Sequence, residues 1–516
     1  METSQIVMIC TIAAYMLFMI GVGVYYAKKN KNTGDYYLGG RSLGPFVTAM
    51  SAEASDMSGW LLMGLPGVAY ACGLPEAMWT AIGLAVGTYI NWLVVAKRLR
   101  RYTYAANNSI TLPEFFSNRY GDKSKLLTCL SAAVIFIFFV PYTASGFAAC
   151  GKIFSTLFGI DYTTAMIVSA IVIVLYTAIG GFLAASTTDF IQGILMTAAL
   201  IGVLGFGVVA AGGFDQVFEN ASKLPGYLDP FKGFDYATGQ AADYGFLPVV
   251  STLAWGLGYF GMPAILLRFM AIRKENEVKT SRRVATVWVV VSLAIAVLIG
   301  IVGMSVFQGT DKALLTADGN KSENVIAVFA QLIAEYGWFF AILGGLIIAG
   351  MLAATMSTAD SQMLAASSSV AQDFFKGKIK PDVSDKVAMW VARGAVVVIA
   401  ILGVIFALDP NSSVFQIVSF AWAGFGAAFG PVVLLALFWK RSNKWGALTG
   451  MISGGAMVFI WKFAIAPLGG AFAIYELLPA FIIALVVNVV VSFATKAPAK
   501  EIVDTFELVA SNQPLE

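Results

Sequence analysis

Oxygen-bearing residues recur at helical spacing in one apolar stretch of this sequence, around residues 353–361. Ala354, Ser357 and Thr358 are spaced i, i+3 and i+4, so a helix would present one carbonyl position and two hydroxyls on the same face. A hard alkali cation prefers several such oxygens, and freed backbone carbonyls supply the rest without a fixed charge. Serine and threonine in membrane helices often bond only to their own helix, and this plainer interpretation stays open.

A second stretch, residues 46–71, carries polar residues that interrupt a helix. Glu53 and Asp56 lie near its middle, and Ser58 is followed by a glycine. Serine and aspartate bond back to the local backbone and glycine has a low helix propensity, so the pattern predicts a break around residues 54–59. An opened helix exposes carbonyls that can bind a cation and amides that can bind a carboxylate.

A third stretch, residues 247–271, has three glycines and a proline between Trp255 and Pro263. Proline removes a helical hydrogen bond and clashes with the preceding turn. The two interrupted stretches are five membrane spans apart, and because five is odd, two successive five-span units would have opposite orientations. Interrupted helices at matching positions of two such halves indicate the central binding site of a transporter. The glycines could instead serve close packing and the proline a simple kink.

The residue types that are missing exclude several kinds of chemistry. The chain has no histidine, which excludes histidine metal sites, Ser-His and Cys-His dyads and imidazole proton relays. Its four cysteines lie far apart inside apolar runs, so neither a zinc site nor a disulfide framework is indicated. With no obvious nucleophile and base pair, we do not expect an enzyme.

Most of the 516 residues require a lipid environment. Hydrophobic residues make up 59% of the chain and charged residues 12%, about half the roughly 25% of soluble proteins. A bilayer crossing needs roughly 20 apolar residues. The predicted fold class is therefore an all-α membrane protein of about 13 transmembrane helices, at 5–27, 46–71, 76–96, 126–150, 163–182, 187–212, 247–271, 285–308, 327–358, 387–408, 414–439, 445–466 and 473–495.

The basic residues predict how these spans are oriented. Of the 33 lysines and arginines, 25 lie in alternate loops, beginning with Lys28, Lys29, Lys31 and Arg41. Because cytoplasmic loops are enriched in basic residues, we expect a multi-pass protein of the cell membrane with its N-terminus outside and its C-terminus in the cytoplasm. We expect residues 1–516 to form a single transporter domain, with a flanking helix at 5–27, repeats at 46–212 and 247–439, flanking helices at 445–495 and a tail at 496–516.

Four motifs resemble those of the solute:sodium symporter family: Leu38–Phe46, Ala54–Gly67, Trp255–Gly261 and Ala421–Pro431. The similarity runs from about residue 10 to residue 500, and the second and fourth motifs are specific to the proline branch of the family. The resemblance implies a LeuT-like five-plus-five inverted repeat, spans 2–6 and 7–11, with flanking helices. It also implies sodium-coupled uptake of L-proline by alternating access.

The resemblance further implies roles for individual residues. It places a sodium ion between five groups: the carbonyls of Ala54, Met57 and Ala354 and the hydroxyls of Ser357 and Thr358. It makes Asp56 essential for sodium-coupled transport and gives Arg41, near the inner end of span 2, an effect on coupling. The residues implied in the substrate site are Ser58, Gly59 and Trp60 of the span 2 motif, with Tyr142, Trp255, Tyr259 and Pro263.

Two features leave alternatives open. Some members of the family bind a second sodium ion at positions that match Asp189, Asp360 and Ser361, but Asp189 can equally be the N-cap of span 6. Glu53 is an ionisable residue inside the membrane, which is a functional hypothesis by default. It could tune the ion site, take a proton, or pair with a basic residue such as Arg268.

The expected partners are sodium, a small-molecule substrate and the lipid bilayer, with no nucleic acid and no obligate protein partner. The alternative within transport is a sodium- or proton-coupled symporter of another amino acid, a sugar or a carboxylate. A channel is disfavoured because no polar stripe recurs along the spans. A membrane sensor is disfavoured because the tail after residue 496 is too short for a signalling domain.

Overall fold

The computed structural model describes residues 2–27, 33–316, 319–380 and 382–511, and most of these residues are helical. In the first half, helices cover Thr3–Ala27, Thr33–Leu38, Pro45–Ala54, Trp60–Cys72, Leu74–Ala105, Leu112–Arg119, Leu126–Phe158, Tyr162–Ala210 and Phe214–Ser222. Lys28, Lys29 and Lys31 of the first basic loop lie outside the described residues, as do residues 512–516 of the predicted tail.

The second half opens with an antiparallel hairpin, in which Lys232–Asp235 pairs with Gln240–Asp243. Its helices cover Phe246–Phe260, Pro263–Ala271, Glu275–Phe307, Ser322–Ala334, Trp338–Ile379, Asp385–Phe406, Val414–Phe438, Lys444–Leu468, Leu477–Ala494 and Lys500–Ala510. A second short hairpin joins Leu315–Thr316 to Gly319–Asn320.

The prediction of a multi-span membrane protein is confirmed. Within the described residues, ten helices are long and apolar enough to cross a membrane, or eleven if one bent pair counts as a span. The shorter apolar helices Trp60–Cys72 and Tyr162–Leu175 lie where the sequence predicts the second part of span 2 and span 5. The count of thirteen spans stays a prediction.

The helix predicted to break around residues 54–59 does break there. One helix ends at Ala54 and the next begins at Trp60. Between them the amide of Met57 still makes a helical bond to the carbonyl of Glu53, at 2.8 Å, but the amide of Ser58 donates to the carbonyl of Asp56 at 2.8 Å and not to that of Ala54. We call the two segments Pro45–Ala54 and Trp60–Cys72 broken helix A.

The second predicted interruption is also present. Phe246–Phe260 and Pro263–Ala271 are bent by 43° relative to each other, and together they are called broken helix B. Pro263 stands in the first turn of the second segment, where its missing amide costs no hydrogen bond. Ala254–Phe260 is wound more tightly than an α-helix, as a 3-10 helix. Both halves of the fold therefore contain an opened helix at the corresponding position.

Two predicted boundaries are wrong. Spans 5 and 6 form one helical run from Tyr162 to Ala210, kinked at Gly181, where φ is 70° and glycine alone is unstrained. Because helical structure resumes directly after Gly181, span 6 begins before residue 187. Asp189 is therefore an interior helix residue and not an N-cap.

The predicted span 327–358 is divided into two helices. Ser322–Ala334 is a short helix, and a new helix begins at Trp338 after Gly337, whose φ of 121° ends the preceding helix. We call Trp338–Ser368 the serine helix. Ser357 and Thr358, predicted at the end of a span, lie inside this helix, where both side chains are buried.

Helix C (Leu74–Ala105) lies against broken helix B at backbone contact distance. A Cβ atom added to Gly83 would lie 2.6 Å from the carbonyl oxygen of Leu253, and one added to Gly87 would overlap the backbone of Gly256. Small residues permit this close approach between membrane helices. The approach brings the following turn of helix C, with Asn91, beside both broken helices.

Candidate functional site

The break in broken helix A lies beside the serine helix. The Ser357 hydroxyl lies 2.8 Å from the carbonyl oxygen of Ala54 and 3.1 Å from that of Ala354. The Thr358 hydroxyl lies 3.1 Å from the same Ala354 carbonyl. Because the amide of Ser58 bonds to Asp56, the Ala54 carbonyl is released from its usual helical partner. Four of the five predicted cation ligands therefore form one oxygen cluster across two helices.

The donor set of this cluster fits a sodium ion. Two carbonyl and two hydroxyl oxygens are hard neutral ligands, and both hydroxyls belong to buried side chains. A hydroxyl that donates to a carbonyl can turn its hydrogen away and offer a lone pair to a cation instead. Met57, the fifth predicted ligand, lies in the break, but its carbonyl makes no hydrogen bond with the cluster in the described part of the chain.

A small cavity opens beside the break. Its volume is about 10 Å³, roughly the space of a single water molecule and far below the roughly 300–1,000 Å³ of typical ligand pockets. It is lined by Asp56, Met57, Trp60, Leu84, Tyr142, Trp255, Val418 and Trp422. Aromatic rings and one carboxylate therefore surround a space that must widen to admit an organic solute.

Stacked aromatic rings close one end of this cavity. The ring of Trp255 lies 5.3 Å from Trp60, 5.2 Å from Phe415 and 5.3 Å from Tyr475, measured between ring centroids. The indole of Trp422 donates to the carbonyl oxygen of Trp255 at 2.8 Å, which fixes the backbone of broken helix B at this point. These ring contacts and the bond to Trp422 hold Trp255 in place beside the cavity.

The other residues predicted for the substrate site take different positions. The hydroxyl of Tyr142 donates to the Asp56 carbonyl at 3.2 Å, so it stabilises the break and also lines the cavity. Ser58 caps the next helix, since its hydroxyl accepts from the amide of Trp60 at 3.1 Å. Gly59 packs against Ala149 and Thr355 instead of facing the cavity.

Two residues predicted from broken helix B lie outside the cavity lining. Tyr259 is buried, and its ring packs edge-on against Trp422 at 5.1 Å. Pro263 is buried beyond the bend, in the first turn of the segment that ends at Ala271. The cavity therefore contacts only the Trp255 side of broken helix B.

The residues predicted for a second ion site converge on an arginine. One guanidinium nitrogen of Arg268 lies 3.0 Å from the Asp189 carboxylate and 2.5 Å from the Ser361 hydroxyl. Ser361 in turn donates to the carboxylate of Asp360 at 3.2 Å. Arg268 also donates to the hydroxyl of Ser51 at 3.0 Å, which donates to Asp189 at 2.6 Å. The network joins both broken helices, the serine helix and the helix that follows Gly181.

Glu53 has different partners from those considered in the sequence. Its carboxylate accepts from the Thr88 hydroxyl at 3.0 Å and from the Trp92 indole at 2.8 Å, both on helix C. Arg268 is paired with Asp189, so the suggested pair of Glu53 and Arg268 is not formed.

Arg41 ties the ends of the two broken helices together. Its guanidinium donates to the carbonyl of Met270 at 2.6 Å and to the side chain of Asn108 at 2.8 Å. Beside it, the amide of Leu43 donates to the carbonyl of Ala271 at 3.2 Å, and the amide of Arg273 donates back to Leu43 at 3.0 Å. Arg41 is therefore distant from the oxygen cluster but holds the broken helices to each other.

Sequence reasoning missed several residues of the cavity and its closure. Trp422 belongs to a motif that the sequence analysis recognised without assigning it a role. Leu84 and Val418 are apolar residues in apolar helices. Phe415 and Tyr475 lie at helix ends. Neither the type nor the spacing of these four residues indicated a role in the site. Only the packing of helix C, the helix Val414–Phe438 and the segment before Leu477 brings them together.

The chain was compared with known protein families and with solved structures. Residues 36–454 match the family described as "Sodium:solute symporter family". The chain is 44% identical over 489 residues to the "High-affinity proline transporter PutP" of Bacillus subtilis, covering 95% of the chain and 98% of that protein. It is 41% identical over 494 residues to the "Sodium/proline symporter" of Staphylococcus aureus, covering 94% and 92%.

Solved structures share the fold. A Na+-coupled sialic acid symporter in a substrate-bound outward-open state superposes with a TM-score of 0.77 at 19% identity, covering 96% of this chain and 98% of that one. Mhp1, a nucleobase-cation-symport-1 family transporter, superposes with a TM-score of 0.53 at 12% identity, covering 94% and 97%. These likenesses confirm the LeuT-like architecture predicted from the sequence.

The buried pair of Arg268 and Asp189 makes a stability prediction. Replacing Arg268 with methionine leaves the carboxylate of Asp189 buried without its cation, which costs roughly 3–5 kcal/mol. We therefore expect R268M to unfold at a clearly lower temperature than the unmodified protein when both are purified in the same detergent. The matched control is R268M combined with D189N, which removes both charges and should recover most of the loss. Equal unfolding temperatures for all three proteins would contradict a structural role for the pair.

Proposed function

Because the chain belongs to the sodium:solute symporter family, we propose that it uses the inward movement of sodium to take up L-proline by alternating access. The observation that carries this proposal is the contact of Ser357 with Ala54, which places a cation-sized oxygen cluster directly beside an aromatic cavity. The names of the relatives, all covered almost end to end, support proline as the substrate.

Sodium is held by the carbonyls of Ala54, Met57 and Ala354 and the hydroxyls of Ser357 and Thr358. Binding an ion between broken helix A and the serine helix draws the two together and fixes the opened backbone. Asp56 lies inside the same opening and lines the cavity, so its carboxylate contributes negative charge between ion and substrate. The ion thereby arranges the substrate pocket before the substrate arrives.

Proline binds in the cavity between broken helix A, broken helix B and Tyr142. Its flat apolar ring suits the faces of Trp60, Trp255 and Trp422, since aromatic rings supply large rigid contact surfaces. The carboxylate of the substrate is attracted by amides exposed at the start of the second segment of broken helix A. The cavity widens when Trp60 and Trp255 move apart. Substrate entry therefore requires that the contact between these two rings opens.

The membrane potential supplies part of the driving force. Moving one positive charge inward is worth about 2.3 kcal/mol per 100 mV, provided that the loaded carrier is the form that reorients. Opening toward the inside separates the contacts that tie Leu43 to Ala271 and Arg41 to Met270. The chain forms one polytopic domain with its N-terminus outside and its basic loops in the cytoplasm. In this orientation the contacts of Arg41 and Leu43 lie on the cytoplasmic side, where they form the inner gate.

Uptake by purified protein in liposomes tests the substrate and the coupling ion together. An inward sodium gradient should drive accumulation of labelled proline, and a proton gradient alone should not. Unlabelled proline should compete with the label, whereas another amino acid, a sugar or a carboxylate should compete weakly. Uptake that follows the proton gradient, or stronger competition by a different solute, would contradict the proposal.

The Ser357 hydroxyl is the most direct test of the ion site. S357A removes one oxygen ligand and the bond to Ala54. Since a hydrogen-bonding group on a charged partner is worth about 1.5–3 kcal/mol, we expect half-maximal uptake to require roughly 10–100 times more sodium. The measurement is initial proline uptake as a function of sodium concentration.

The matched control is S367A on the same helix. Ser367 is equally buried, but its hydroxyl bonds only to Leu364 of its own helix in the described structure. The control should keep the original sodium requirement. Identical sodium curves for S357A and S367A would move the ion away from Ser357.

A further inference from the structure

Glu53 is a fully buried carboxylate that the proposed transport cycle does not use. One oxygen, Oε1, accepts hydrogen bonds from Thr88 and Trp92 of helix C, at 3.0 Å and 2.8 Å. Both donors are neutral. The other oxygen, Oε2, is buried and has no hydrogen-bond partner in the described residues. A buried carboxylate in a membrane protein is stabilised when both of its oxygens have hydrogen-bond or ionic partners. In Glu53 only Oε1 has them within the described part of the chain.

Two more oxygens without partners lie at the same interface. The buried side chain of Asn91 donates through its nitrogen to the carbonyl of Tyr259 at 3.0 Å, while its oxygen Oδ1 has no partner among the described residues. The buried hydroxyl of Tyr259 has no partner within 3.5 Å among the described residues, and the Asp56 carboxylate is the group next to it. Thr88, Asn91 and Trp92 are spaced i, i+3 and i+4, so the residues that hold Glu53 and Tyr259 share one face of helix C.

Neither carboxylate at this interface, Glu53 or Asp56, forms a salt bridge with a basic side chain of the described residues. The carboxylates of Glu53 and Asp56 interact electrostatically with each other and with the Tyr259 hydroxyl, so the three groups are close together. Arg268, the buried arginine of broken helix B, forms a salt bridge with Asp189. A single sodium ion at Ser357, held by neutral oxygens, balances only one of the two carboxylates. Buried charges in proteins are paired or coordinate a metal ion.

We propose that Glu53 Oε2, Asn91 Oδ1 and the Tyr259 hydroxyl hold a second sodium ion where helix C meets both broken helices. Carboxylate, amide and hydroxyl oxygens are the ligands that hard cations prefer. The ion bridges the two helices that must separate when the carrier opens, so its binding is coupled to the conformational change. This inference rests on the proposed sodium-coupled transport and adds that two sodium ions move with each substrate.

E53Q is the test variant. Glutamine has the same shape, its oxygen can still accept from Thr88 and Trp92, and its amide can donate to Asn91 Oδ1 in place of the ion. In liposomes, the unmodified protein should show a Hill coefficient for sodium well above one and about two charges moved per proline. E53Q should show a Hill coefficient of about one and about one charge per proline.

E76Q provides a matched control on helix C itself. Glu76 lies in its first turn, twelve residues before Thr88 and therefore about 18 Å away along the helix axis. E76Q should keep the Hill coefficient and the charge ratio of the unmodified protein. An unchanged Hill coefficient and charge ratio in E53Q would overturn the second site. So would a second charge that follows the pH gradient instead of the sodium gradient.

Counting bound sodium on the purified protein separates this inference from the choice of substrate. Equilibrium dialysis with radioactive sodium should give about two ions per unmodified protein and about one for E53Q or for S357A, whether or not proline is transported. If E53Q does not fold, Y259F serves instead, because it removes one ligand oxygen that makes no hydrogen bond within the described structure. Y259F should bind the second ion about tenfold more weakly. Equal sodium binding by Y259F and the unmodified protein would overturn the proposal.

Discussion

The backbone of broken helix A between Ala54 and Trp60 loses part of its helical hydrogen bonding, and in a bilayer the freed groups cannot bond to bulk water. Each exposed carbonyl and amide must therefore find a partner inside the protein or on a bound ligand. Ser357 contacts the Ala54 carbonyl, Tyr142 donates to that of Asp56, and Ser58 accepts from the amide of Trp60. These partners come from three parts of the chain, so a change in the backbone conformation at the break alters the hydrogen bonds of all three.

This dependence gives the proposed ion and substrate a way to act on each other through the break. The oxygen cluster includes the Ala54 carbonyl at one end of the opened backbone, and Asp56, Met57 and Trp60 further along it line the aromatic cavity. An ion that fixes the backbone lowers the ordering cost that a substrate would otherwise meet. The contacts of Arg41 join the two broken helices further along, and the buried network around Arg268 joins them both to Ser361 of the serine helix.

Features that depend on local sequence could be predicted, and those that depend on distant packing could not. The break near residue 56 follows from serine, aspartate and glycine within one turn, and the bend of broken helix B from Pro263 and its neighbouring glycines. The end of the short helix at Ala334 escaped prediction because Glu335 is a single charged residue between two long apolar runs. Asp189 resembled a helix cap from its neighbours, whereas its actual partner is Arg268, 79 residues later in the sequence. The partners of Glu53, Thr88 and Trp92, lie on helix C, and nothing in the sequence around either residue indicates the contact.

Thermodynamic linkage between sodium and proline tests the central claim most directly. Calorimetry on the purified protein gives the affinity for proline with and without saturating sodium, and the affinity for sodium with and without saturating proline. The account predicts that each ligand tightens the other by the same factor, about 5–150-fold, because both act through the opened backbone at Ala54. Proline affinity that is independent of sodium would contradict it.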